Sequence, residues 1–205
     1  TRRLFADAPD GQRVPVTALY RKGLKLDGTA PCLLYGYGAY GMSMPASFSV
    51  SALSLVDRGF VYAIAHIRGG MEKGYAWYKD GKTTRKKNTF SDFVAAAEGL
   101  IAENLAAPGN IAIHGGSAGG MLMGACANLR PDLWRAVVAD VPVVDVSSNL
   151  ADREPAQVVK RPGGPADGAA DRRFDRLAGG SGQLDRLVDM IRHDSISPFA
   201  VGESD

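Results

Sequence analysis

Apolar residues in this chain are gathered into short dense runs, divided by glycine- and proline-marked breaks. Between residues 31 and 146 the runs alternate in kind. "PCLLYGYG", "FVYAIAHI", "NIAIHGG" and "WRAVVADVPVVDV" are nearly continuous and rich in β-branched or aromatic residues, the pattern of strands buried on both faces. "SALSLVDRGF", "TFSDFVAAAEGLIAENLA" and the stretch after Ser117 instead carry apolar residues at helical spacing. In the second of these, Phe93, Val94, Ala97, Leu100 and Ile101 form the apolar stripe, and Thr89 or Ser91 is placed to cap its start. Gly59 is placed to close the first helix, and Arg130-Pro131-Asp132 to stop the third. The order β-α-β-α-β-α-β predicts an α/β fold, a mostly parallel sheet with helices on both faces. Upstream, "RVPVTALYRKG" alternates loosely between turn signals at Gly11 and Asp27-Gly28, which predicts an edge or hairpin strand. Beyond Val146 the pattern fades. "KRPGGPADGAADRRFDRLAGGSG" offers too little apolar material to continue a sheet and predicts a largely disordered tail, with one short amphipathic helix at "LDRLVDMI".

Composition narrows the classes. A chain of 205 residues suits one domain with a sizeable core. Its 24 basic and 22 acidic residues nearly cancel, and the basic ones are spread out except near Thr84 to Lys87, which argues against a dedicated nucleic-acid surface. No apolar run approaches the roughly 18 residues of a membrane span, and no secretory signal follows the N-terminus. Cys32 and Cys126 each sit inside an apolar run, which predicts buried free thiols and a reducing compartment, the cytoplasm. The chain starts at Thr1 without a methionine and reads as a piece of something longer.

The chemistry centres on "IHGGSAGG". Gly115-Gly116-Ser117-Ala118-Gly119 fits G-x-S-x-G, with a buried strand before it and a helix after it. In that setting the serine backbone is held in a strained turn that lifts its Oγ above the sheet, and the glycines avoid Cβ clashes. Ser117 is the candidate nucleophile, and the N–H of Ala118, at the positive end of the helix, is a candidate oxyanion donor. A nucleotide-binding turn is disfavoured, because no G-x-G-x-x-G lies at the first strand-to-helix turn and "GGSAGG" lacks a P-loop lysine. The tyrosines of "YGYGAYG", Tyr35, Tyr37 and Tyr40, are either half-buried aromatics or a means of carrying a phenol to the top of the sheet. No metal or cofactor site is indicated.

Those residues, with "LVDRGFVYAIAHIRGGMEKGYAWYKDGKTTRKKNTFSDF" and "IHGGSAGGMLMGACANLRPDLWRAVVADVPVVDV", resemble the catalytic domain of the prolyl oligopeptidase family of serine peptidases, its oligopeptidase B branch in particular. The resemblance covers residues 1 to about 146, leaving residues 147–205 as a divergent segment. It implies an α/β-hydrolase fold truncated before its last strands, a Ser-Asp-His triad in that chain order, and short peptides as substrates, cut after Arg or Lys. By position, Ser117 is the nucleophile, Tyr37 the side-chain oxyanion donor and Ala118 the backbone one. Glu72 matches a structural segment and is expected to form a salt bridge or anchor a loop; Asp145 matches a structural position too.

The base is missing from this pattern. His66 precedes the serine in a buried strand and reads as a satisfied core or strand-end histidine. His114, three residues before Ser117, is expected to pack beside the turn. His193 follows the serine, but "IRHDSISPF" is not the family's glycine-flanked histidine loop. The triad Asp and His are therefore expected to be absent from this chain, which then has negligible activity alone. Residues 147–205 read as a shifted reading frame or a genuine divergent tail. A sheet cut off there would expose an apolar strand edge and lower solubility. Two other readings stay open: an esterase or lipase of the same fold, and a non-catalytic binding domain that has lost its triad.

Overall fold

The computed structural model describes residues 1–140 and the backbone of Gln157–Lys160, all within one compact unit. Seven strands form one sheet in the order β1-β2-β4-β3-β5-β6-β7. β3 (Cys32–Tyr35), β4 (Val61–Ala65), β5 (Ile111–Gly116) and β6 (Trp134–Asp140) are parallel, and each takes its place as the apolar runs predict. β1 (Arg2–Asp7) and β2 (Arg13–Leu19) form an antiparallel hairpin whose inner strand pairs with β4. Of the two readings its sequence allowed, edge or hairpin, β2 is the hairpin strand and not the edge. That place belongs to β1, where only Leu4 and Ala6 point inward and Phe5 stays half exposed.

The strands alternate cleanly. Cys32, Leu34, Val61, Ala63, Ile111 and Ile113 join one core cluster with α3 (Lys87–Ala102) and α4 (Ala118–Leu129). Leu33 and Ala112, the residues between them, are equally buried and by the period of two face the other side. There α1 (Val50–Asp57) packs against β4 with Leu55 and Val56 buried. Helices thus cover both faces. Phe93, Ala97 and Leu100 of the predicted α3 stripe are fully buried, with Val94 and Ile101 packed at the margin.

α1 and α3 end in the same closure. Gly59, at φ +88°, sends its N–H to Val56 O while Phe60 N–H bonds Leu55 O, which is the Schellman arrangement. Asn104 does the same for α3 at φ +55°, with bonds from Asn104 to Ile101 and from Leu105 to Leu100. The start of α3 departs from expectation. A 3₁₀ turn at Thr83–Arg85 feeds straight into a helix that begins at Lys87, so Thr89 lies inside it. Its hydroxyl donates outward to the carbonyls of Arg68 and Gly81 instead of capping. A short helix, α2 (Tyr75–Lys79), was not foreseen.

β7 (Gln157–Lys160) pairs antiparallel with β6. The expectation that nothing after Val146 continues the sheet fails at these four residues, and so does the bare edge it implied for β6. Val158 and Val159 supply the β-branched pair that a local strand needs, inside a stretch whose average composition hides them. Asp145, His193 and the predicted helix at "LDRLVDMI" lie outside the described residues. Cys32 and Cys126 are buried free thiols, and burial pushes both up to about 12, which leaves them inert at neutral pH.

Candidate active site

The carboxyl ends of the parallel strands, where ligands bind in open α/β sheets, bring the candidate residues together. β5 ends at Gly116, and α4 starts at Ala118. The one residue between them, Ser117, takes φ +53° and ψ −115°, a conformation that costs a non-glycine residue on the order of 1–3 kcal/mol. Hydrogen bonds on both sides impose it. Ser117 N–H donates to Asp140 O at 2.8 Å, and Gly120 N–H donates to Ser117 O at 2.9 Å. Ser117 is exposed while Gly115 and Ala118 beside it are buried, so the strained turn presents the hydroxyl to solvent.

The glycines have a steric reason. A Cβ on Gly115 would stand 2.7 Å from Gly119 O and 2.9 Å from Gly36 O, both main-chain atoms that cannot yield. One on Gly119 would stand 3.0 Å from Gly36 O and 3.4 Å from Tyr37 Cδ2. The turn at Ser117 and the loop carrying Tyr37 are therefore in main-chain contact. Gly115→Ala is expected to destabilise the chain by about 1–3 kcal/mol, as overpacking does, measured as a lower urea midpoint.

Tyr37 lies against the first turn of α4 and is half-buried. Burial, and then the neighbouring Tyr40, push its phenol above the ordinary value. It thus stays a neutral hydroxyl, the form that can donate a hydrogen bond. Ala118 is the first residue of α4, so its N–H has no acceptor within the helix. The Tyr37 ring therefore lies against the helix turn that follows Ser117, and the Ala118 N–H stands at the start of that turn.

The histidines are placed otherwise. His114 Nε2 lies 2.9 Å from Asp140 Oδ2 beneath the turn, and Tyr35 meets its ring edge-on at 5.2 Å between centroids. His66 Nε2 lies 2.8 Å from Thr17 Oγ1 in the interior. Glu72 does anchor a loop, accepting Met44 N–H at 2.9 Å. His66 is not fully satisfied, since its Nδ1 has no hydrogen-bond partner among the described residues. Asp140 was missed by the sequence reading. It supports the turn twice, through its carbonyl to Ser117 and its carboxylate to His114, and its only sequence signal is an acid closing the apolar run "AVVAD". Among the described residues, no three His, Cys, Asp or Glu side chains are grouped to hold a metal, and no helix is long and apolar enough to cross a membrane.

Comparison with known proteins decides the family. A model described as "Prolyl oligopeptidase family" matches residues 46–171, more than half of the chain. The chain belongs to the prolyl oligopeptidase family. Among relatives in that family, it is 50% identical over 153 residues to dipeptidyl aminopeptidase BI of Pseudoxanthomonas mexicana, covering 74% of this chain and 21% of that protein. It is 45% identical to protease 2 of Moraxella lacunata, covering 73% of this chain and 22% of that one. Oligopeptidase B from Trypanosoma brucei, solved in a closed form with covalently bound antipain, superimposes with a TM-score of 0.69 at 47% identity. That match covers 74% of this chain and 22% of the other. The chain thus spans about a fifth of the length of these prolyl oligopeptidase relatives. The sheet, its helices and the strand-to-helix serine are those of an α/β-hydrolase catalytic domain.

Proposed function

We propose that this chain carries the nucleophile half of a serine-type oligopeptidase. Ser117 Oγ attacks the carbonyl carbon of a short peptide, and the carbonyl oxygen becomes an oxyanion held by Tyr37 Oη–H and Ala118 N–H. Collapse of that intermediate breaks the C–N bond, releases the amine with a proton, and leaves an acyl ester on Ser117 for water to hydrolyse. The observation that carries this reading is Ser117 itself: one exposed serine at φ +53° between a buried strand and a helix N-terminus. The preference for Arg or Lys at the cleavage site follows from the resemblance to oligopeptidase B. The 47% identity to a trypanosomal enzyme of that name supports it.

Phosphonylation tests the nucleophile directly. Prolonged incubation with a fluorophosphonate is expected to add one phosphonyl group, mapped by mass spectrometry to Ser117 and lost in Ser117→Ala. A label on another residue, or one surviving Ser117→Ala, would overturn the assignment. Aminomethylcoumarin peptides ending in Arg, Pro or a dipeptide, and a short-chain ester, then rank the substrate classes.

A further inference from the structure

Two buried polar atoms, His66 Nδ1 and Glu72 Oε2, have no hydrogen-bond partner among the described residues. They belong to side chains that face one another, with His66 Nδ1 3.7 Å from Glu72 Oε1. His66 is 3% exposed and the Glu72 side chain 12%. A buried polar atom left unpaired forfeits the hydrogen bond that water would have given it. A separation of 3.7 Å is too long for a hydrogen bond, yet a small adjustment would close it.

The remaining atoms of both residues are already engaged. His66 Nε2 meets Thr17 Oγ1 from β2, and Glu72 Oε1 accepts Met44 N–H. The charged groups on the surrounding elements are committed elsewhere. Arg68 is held by Asp92 of α3 and Asp10 of the β1–β2 turn, and Lys73 reaches the Arg13 carbonyl and the Trp77 ring. Lys86 donates to Gly38 O, and the Trp77 indole N–H donates to His66 O. Of these groups the imidazole alone is left for the carboxylate, which it meets at Oε1, the atom that also accepts Met44 N–H, and a proton on Nδ1 makes the contact. The Thr17 hydroxyl accommodates either state, donating to a bare Nε2 or accepting from a protonated one.

We propose that His66 and Glu72 form a proton-operated latch on the loop that carries Tyr37. With the imidazole doubly protonated, Nδ1–H donates to the Glu72 carboxylate in a short charge-assisted bond, and Glu72 holds Met44 in turn. With the imidazole neutral, the pair slackens and so does the loop from Gly36 to Met44. A second tie between the loops, Gly41 N–H to Gly69 O at 2.9 Å, passes the change along. The bearing of the latch on catalysis rests on the oxyanion role proposed for Tyr37; the latch itself does not.

Hydrogen exchange of the full chain, read by mass spectrometry on peptides spanning 40–48 and corrected for intrinsic rates, tests it without any need for activity. Protection at Met44 is expected to be about tenfold higher near pH ~5.5 than near pH ~8, the scale of one charge-assisted hydrogen bond. Peptides from β5 should stay level. Glu72→Gln keeps an acceptor for Met44 N–H, so it should retain basal protection and lose the pH dependence; His66→Gln should lose it as well. Equal protection at both pH values in the unaltered chain, or a dependence that survives Glu72→Gln, would overturn the latch. Should either variant fail to fold, the ¹⁵N resonances of the His66 ring in the unaltered chain decide the matter. Both nitrogens protonated at the lower pH support the proposal, and a ring neutral throughout sinks it.

Discussion

Asp92→Ala is expected to lower the unfolding free energy by about 3–5 kcal/mol, a large part of the roughly 5–15 kcal/mol that holds a domain together. Asp92 is fully buried and accepts from Arg68 three times, from Nε at 2.8 Å, a terminal nitrogen at 2.5 Å and the backbone N–H at 3.0 Å. Burial pushes the Asp92 carboxyl up, while these hydrogen bonds pull it down. Arg68 is 2% exposed and stays charged: burial works against its charge, and the bonds to Asp92 and Asp10 more than offset it. Truncating Asp92 leaves that cation buried with only Asp10, whose side chain is 46% exposed. Asp10→Ala should cost far less, within about 1 kcal/mol. The Arg68 hydrogen bond holds the Asp10 carboxyl below the ordinary carboxylate range, so its contribution is present above that range and fades as pH falls through it. Urea titrations of the single variants, and of Arg68→Met with Asp92→Leu together, measure this. The double variant should recover part of the loss, because no charge is left buried.

The second expectation concerns turnover. With no imidazole among the described residues placed to take the Ser117 proton, the chain as written should hydrolyse an arginyl aminomethylcoumarin peptide on the order of 10⁶-fold more slowly than a serine peptidase with its histidine in place. What remains would come from the oxyanion donors and binding. His114 does not fill the gap, since its Nε2 is committed to Asp140 under the turn. Added imidazole should therefore speed phosphonylation of Ser117 in proportion to its concentration, with no such response in Ser117→Ala. Rapid turnover by the chain alone would mean that a base lies beyond residue 140, with His193 the first to replace. No response to imidazole would mean that the hydroxyl is not poised to react.

The parts of the fold legible in sequence are those where local and global signals agree. "NIAIHGGSAGG" announces a buried strand, a turn and a helix because each residue's preference matches its place, and the same agreement locates β3, β4, β6 and α3. β1 stayed hidden because only two of its side chains face inward and neither is large. α2 is five residues long, too short for a helical period to register. Thr89 looked like a cap because its hydroxyl suits one, and tertiary acceptors at Arg68 and Gly81 claimed it. The site divides in the same way. Ser117 and its glycines could be read from spacing. The Arg68–Asp92 pair, the double role of Asp140 and the facing of His66 and Glu72 could not, for each joins side chains from segments brought together only by the sheet.

The sheet order also bears on how the chain emerges during synthesis. The β1–β2 hairpin is complete by residue 19, yet the strand that covers its inner edge is β4, which ends at Ala65. Until those later residues leave the ribosome, Val14, Val16 and Ala18 wait beside an unpaired row of amides and carbonyls. Their covering helix, α3, arrives later still, and brings with it Asp92 for Arg68. Within this stretch the β1–β2 hairpin is thus made before the strand and helix that secure it, an interval in which a nascent chain of this topology exposes an aggregation-prone edge.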